Sequence, residues 1–102
     1  PSNYTLLIVD NGSYGSTGDQ KTFTNERTSL KDVAIGAGCP NVIECSGEET
    51  NENLQKAIDD KNNSYVIISK IKSGNVPIKP IPLNAVTIRD RFRKEIGLVT
   101  YL

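Results

Sequence analysis

Two short segments, Tyr4–Val9 and Tyr65–Ile71, carry apolar residues at consecutive positions (Leu6–Val9 and Tyr65–Ile68) and not at every second or every third to fourth one. Runs of that length, closed by polar residues, are too short for a buried helix. They suit strands covered on both faces, the pattern of a parallel sheet. Between and after them lie segments with helical spacing. Thr28 or Ser29 can cap a helix through about Gly36, with Leu30, Val33, Ala34 and Ala37 on one side; Gly36 and Gly38 end it, and Pro40 stops continuation. Asn41–Cys45 reads as a short strand. Thr50 or Asn51 opens a helix to about Lys61, with Leu54, Ala57 and Ile58 facing inward.

The stretch from Ser73 to Pro82 carries three prolines, Pro77, Pro80 and Pro82, and cannot hold a ladder. Asn84 or Ala85 opens a last helix to about Ile96. Val86, Ile88, Phe92 and Ile96 form its apolar stripe, and Arg89, Arg91, Arg93 and Lys94 lie mostly outside it. Strand, helix, strand, helix, strand, helix predicts an α/β fold: right-handed crossovers and a parallel sheet with helices on both faces. Aliphatic usage agrees, with eleven Ile and seven Val against seven Leu, since β-branched side chains suit a pleated surface.

The 102 residues make one domain. Three strands are few for this class, where about five or six are usual, and the chain begins at Pro1. It reads as processed, or as an N-terminally incomplete piece of something longer. Lys+Arg and Asp+Glu number 12 each, so the basic footprint of a nucleic-acid binder is absent. No apolar stretch is long enough to span a membrane and no signal sequence is visible, which predicts a cytoplasmic protein. Cys39 and Cys45, with no His anywhere, exclude a zinc site built from Cys and His. They read as small buried hydrophobes more readily than as a disulfide.

In open α/β sheets, ligands bind beyond the carboxyl ends of the strands. There the first strand runs into Asp10-Asn11-Gly12-Ser13-Tyr14-Gly15-Ser16-Thr17-Gly18-Asp19-Gln20, a long loop rich in glycine and hydroxyls. Glycines let backbone N–H groups approach an anion and form a concave cradle. The Asn11 amide oxygen and the Ser13 main-chain carbonyl suit a hard cation such as Mg²⁺, which also takes oxygens from phosphate. Asn11-Gly12 is equally a strong two-residue hairpin signal, although Tyr14–Gly18 makes a poor return strand. The loop is neither a Gly-Lys-Ser/Thr phosphate loop nor the dinucleotide fingerprint.

The run Leu7–Gln20 resembles the second half of the thiamine-diphosphate motif, in which a Gly-Asp-Gly is followed by a strand ending in an Asn-bearing turn. Its Tyr14-Gly15-Ser16-Thr17-Gly18-Asp19-Gln20 continuation is similar to that of the sulfopyruvate and phosphonopyruvate decarboxylases. Ser29–Gly38 and Pro82–Phe92 resemble two helices of the same family. The resemblance implies a thiamine-diphosphate-binding (diphosphate-domain) fold, of which residues 1–102 would be the C-terminal part. It implies thiamine diphosphate and Mg²⁺ as cofactors. Asn11 would give its side-chain oxygen and Ser13 its carbonyl to the metal. Gly12, Tyr14 and Gly15 would border the diphosphate, with Ser16 and Thr17 nearer the thiazolium and Gln20 nearer the substrate.

The same resemblance implies decarboxylation of a small 2-oxo acid, foremost sulfopyruvate to sulfoacetaldehyde and CO₂, a step towards coenzyme M. Phosphonopyruvate is the alternative substrate. The Gly-Asp-Gly segment, whose Asp is the other protein ligand of Mg²⁺ in the family, is not in this sequence. The activating Glu would come from a pyrimidine-binding α subunit in a hetero-oligomer. Two other readings compete. A 2-oxo acid (indolepyruvate) ferredoxin oxidoreductase subunit carries a similar loop but needs Cys quartets for its clusters. A non-catalytic α/β interaction module, or a receiver-like domain using Asp10 and Lys70, lacks the second acidic residue that a receiver needs.

Overall fold

The computed structural model describes residues 1–81 and 84–98. Its elements are β1 (Thr5–Asp10), β2 (Ser13–Tyr14), β3 (Gln20–Lys21), α1 (Leu30–Gly36), β4 (Val42–Ser46), α2 (Thr50–Asp59), β5 (Tyr65–Lys70) and α3 (Ala85–Glu95). Single turns of 3₁₀ helix lie at Phe23–Asn25 and Gly47–Glu49. Strands β1, β5 and β4 form one sheet in that order, with β5 central and both pairings parallel. The α/β class and the parallel pairing expected from the apolar runs are therefore present.

The crossover from β1 through α1 passes over β5 to reach β4, and α2 then brings the chain back to β5. Right-handed crossovers in opposite directions place α1 and α2 on opposite faces of the sheet. On the α2 face, Cys45, Ala57, Tyr65 and Ile67 form a buried cluster, with Leu7, Ile43 and Leu54 packed against it. Ile68, on the other face of the central strand, is as fully buried as Ile67. The consecutive apolar run of β5 thus serves both faces.

Several expectations need correction. The β1 run is not buried on both faces: it lies at a sheet edge among the described residues, with Leu6 and Val9 exposed. Ile58 is exposed because α2 is short and presents Leu54 and Ala57 to the strands instead. The stripe of α3 is likewise exposed at Val86, Ile88, Phe92 and Ile96, so helical spacing identified the helix and not a buried face. Pro82 lies outside the described residues.

The helix starts follow their capping chemistry. Ser29 Oγ accepts the Asp32 N–H at 3.1 Å, and the Asn84 amide oxygen accepts from Val86 and Thr87. Ahead of α2, the Glu49 carboxylate accepts from both the N–H and the hydroxyl of Ser46, a pairing the sequence reading did not anticipate. Cys45 is buried and Cys39 half-buried, both as free thiols.

The burial contrast fixes an expected order of effects. Ile67→Ala should cost about 2–5 kcal/mol, whereas Ile58→Ala should stay within about 0.5 kcal/mol. Urea unfolding of the two variants measures both.

Candidate functional site

All three strands of the parallel sheet end at one edge, where Asp10 and Ser46 both stand in register with Lys70. The loop after β1 and the segment after β5 therefore leave the sheet side by side. Asp10 organises this edge. Its carboxylate is almost completely buried and accepts three hydrogen bonds, from the Gly12 N–H (2.9 Å), the Thr24 hydroxyl (2.8 Å) and the Lys70 ammonium (2.7 Å). Burial alone would push its pKa up. The hydrogen bond from Lys70, those from Gly12 and Thr24, and the Lys70 charge outweigh that and hold it below the usual 3.8.

Beyond Asp10 the chain makes a second turn of the same kind. The Asn11 amide oxygen accepts the Ser13 N–H at 3.1 Å, which leaves the oxygen a second lone pair. Gly12 has φ +67°, and a Cβ there would press on the Asn25 side chain at 3.1 Å. Asp19 is the one non-glycine with positive φ among the described residues, so Asn11 does not share the left-handed geometry. A type I′ turn needs it at both central positions. Asn11-Gly12 is therefore not the hairpin turn.

The hairpin forms one step later, which corrects the expectation of an unpaired loop from Asp10 to Asp19. Ser13–Tyr14 pairs antiparallel with Gln20–Lys21, and the Tyr14 carbonyl accepts from the N–H groups of Thr17, Gly18 and Asp19 at 3.0–3.3 Å. Those three N–H groups close a turn and are not turned outward as an anion cradle. The Thr17 hydroxyl donates to the Gln20 side chain at 3.1 Å, so these two expected site residues pair with each other. Ser16 is exposed and Tyr14 is more than half exposed. Asn11, Gly12 and Gly15 stay close to the sheet edge: Asn11 and Gly12 line a shallow pocket with Asp10, Asn25, Lys70 and Ile71, and a Cβ on Gly15 would lie 3.8 Å from the Asn11 amide nitrogen.

The donor chemistry fits a hard cation only in part. Asn11 Oδ1 and the Ser13 carbonyl are suitable oxygens, but the Asp10 carboxylate is committed to Lys70. Among the described residues no group of three or more His, Cys, Asp or Glu could hold a metal. That same absence removes the acidic cluster a receiver would need. Sequence reasoning missed Thr24, Ser73 and Asn75, which reach the loop from distant positions; only the strand-end position of Lys70 was a usable signal.

Three proteins resemble this chain in sequence. Sulfopyruvate decarboxylase subunit beta of Methanocaldococcus jannaschii is 37% identical over 87 residues, covering 81% of this chain and 46% of that protein. The subunit of the same name from Methanococcus maripaludis is 31% identical over 96 residues, covering 94% and 51%. Sulfopyruvate decarboxylase of Methanosarcina acetivorans is 28% identical over 99 residues, covering 96% and 25%. Over most of its length this chain is similar in sequence to proteins of that name. It spans about half the length of the two beta subunits it matches. No family model matches the chain, and no solved structure does.

The Asp10 network predicts a pH signature. Because its folded pKa is lowered, its contribution to stability is full above 3.8 and is lost as pH falls through the lower folded value. Asp10→Asn should cost about 1–3 kcal/mol near neutral pH. The gap between variant and parent should close in acid, as followed by urea midpoints across pH.

Proposed function

We propose that this chain supplies the magnesium- and diphosphate-facing part of a thiamine-diphosphate-dependent decarboxylase that converts sulfopyruvate to sulfoacetaldehyde and CO₂. The observation that carries this reading is the Asn11-Gly12-Ser13 turn. It stands at the carboxyl edge of a parallel sheet, pinned by Asp10, in a chain homologous to enzymes of that name. Placed in coenzyme M formation, such an enzyme is a lyase of the cytoplasm. No helix among the described residues is long and apolar enough to cross a membrane, in keeping with that assignment.

Thiamine diphosphate, when bound, supplies the electron sink that a 2-oxo acid needs in order to lose CO₂. The residues of this chain hold and orient it. Asn11 offers its amide oxygen and Ser13 its carbonyl to Mg²⁺, and the metal carries the diphosphate. Gly12, Tyr14 and Gly15 would border the diphosphate. Ser16 and Thr17 would serve the thiazolium side and Gln20 the 2-oxo acid, as the resemblance implies. Asp10 takes no part as a ligand, since Lys70 and two further donors occupy its oxygens. Its burial keeps the turn from moving as the cation arrives.

Two oxygens do not complete an octahedron. Further ligands come from the cofactor itself and from an acidic residue outside this sequence. The subunit names of the relatives support a hetero-oligomer, in which a pyrimidine-binding α subunit activates the cofactor. Residues 1–102 act in this reading as the C-terminal part of the cofactor-binding domain.

In the complete enzyme, Asn11→Ala should weaken magnesium-dependent thiamine-diphosphate binding by at least the roughly 10–100-fold typical of outer-shell losses, with little change in melting temperature. Asn11→Asp keeps an oxygen at the same reach and should retain part of the affinity. Calorimetric titration of both variants decides the ligand role, and unaltered affinity in Asn11→Gly would refute it. The 102-residue chain by itself should bind Mg²⁺ and thiamine diphosphate weakly; tight calorimetric binding would mean a more complete site.

A further inference from the structure

The segment that follows β5 has no role in the fold's core, yet it is tied to the glycine-rich loop at three points. The Ser73 hydroxyl lies 2.9 Å from the Ser13 hydroxyl and also donates to the Asp19 carboxylate. The Asn75 amide donates to the Gly15 carbonyl at 2.7 Å. These partners stand 54 to 60 positions apart in the chain. They meet because β1 and β5 are neighbours in register, so that the segments leaving Asp10 and Lys70 emerge together.

The hydroxyl chain is satisfiable in one direction. Ser13 donates to Ser73, and Ser73 donates onward to Asp19, so each oxygen plays a role open to it. The hydrogen bond from Ser73, foremost, holds the exposed Asp19 carboxyl below its usual range. Asp19 is also the residue held at φ +57°, a conformation that costs an L-residue unless its surroundings impose it. On the other side of the contact, Gly74 adopts φ +142° between the two donor residues, a backbone that L side chains rarely adopt.

We propose that residues 73–75 form a clasp in which Ser73 and Asn75 are positioning residues, fixing the Ser13–Asp19 turn in the shape that would present the Ser13 carbonyl to the metal. The proposal rests on the thiamine-diphosphate reading and adds to it a second segment of the chain. The Ser13 hydroxyl is held by Ser73 at 2.9 Å, and the Ser13 carbonyl is the oxygen that the thiamine-diphosphate reading assigns to the cation. The contacts are exposed, and exposed hydrogen bonds exchange readily with water. They therefore do little for global stability and act on the local equilibrium between a set turn and a frayed one. Misplacing a ligand by a fraction of an ångström is enough to weaken a metal site.

The test compares Ser73→Ala, Asn75→Ala and Ser73→Thr in the complete enzyme. Without cofactor, hydrogen exchange at the amides of residues 17–19 should speed up about tenfold or more in the two alanine variants, with the urea midpoint unchanged. The dissociation constant for magnesium thiamine diphosphate should rise about tenfold, with kcat at saturating cofactor nearly preserved. Ser73→Thr keeps the hydroxyl and should restore both. Unchanged exchange and unchanged affinity in the alanine variants overturn the clasp, as does a fall in urea midpoint that Ser73→Thr fails to rescue. A parent enzyme that does not bind magnesium thiamine diphosphate overturns the functional reading instead, and hydrogen exchange alone then decides the clasp.

Discussion

One buried carboxylate holds the carboxyl edge of this sheet together. Asp10 joins the last residue of β1 to the loop through Gly12, to the 3₁₀ turn through Thr24, and to the central strand through Lys70. A buried carboxylate with fewer partners would be neutralised or expelled. With three donors it becomes a rigid corner. Lys70 remains partly in water, with 39% of its side chain accessible, so the pair avoids the full desolvation cost of two buried charges. Everything proposed for Asn11 and Ser13 depends on this corner, since both follow directly from it.

The loop beyond the corner is built from successive closures. An Asn11 turn, a two-residue ladder and a turn gathered on the Tyr14 carbonyl pair the N–H groups of Ser13, Thr17, Gly18 and Asp19 within the loop. That is how a stretch with three glycines keeps a defined shape. It also changes the chemistry expected of it. The N–H groups of Thr17, Gly18 and Asp19 serve the turn, so in the proposed function a cation and its phosphate would be met by oxygens near the strand end. A metal-mediated hold on a diphosphate needs oxygens of that kind.

Several large apolar side chains stay exposed among the described residues. Leu6 and Val9 on β1, and Ile88, Phe92 and Ile96 at and just beyond α3, are all exposed. The chain spans about half of the beta subunits that it resembles. Apolar patches rimmed by charge, such as Phe92 beside Arg89 and Arg93, are the usual material of such contacts.

The sequence by itself determined the strands of the parallel sheet and the three helices, though not the β2–β3 hairpin. Consecutive apolar residues at Tyr65–Ile68 dictate a strand covered on both faces, and Ser29 and Asn84 dictate helix starts through their own hydrogen bonds. These are local effects, set by side chains within four residues of one another, and the Leu7–Gln20 resemblance is likewise a continuous run. Tertiary structure decided what requires distant residues to meet. Nothing local distinguishes the run in β1, at an edge, from that in β5, at the centre, because strand order is a property of the crossovers. Helical spacing in α2 and α3 marks apolar residues without saying whether a surface exists to receive them, and Ile58 and Phe92 found none. Asp10 with Lys70, Thr24 with Asp10, and Ser73 with Ser13 are pairings across 14 to 60 positions. They exist only because parallel pairing in register brings two strand ends to one edge.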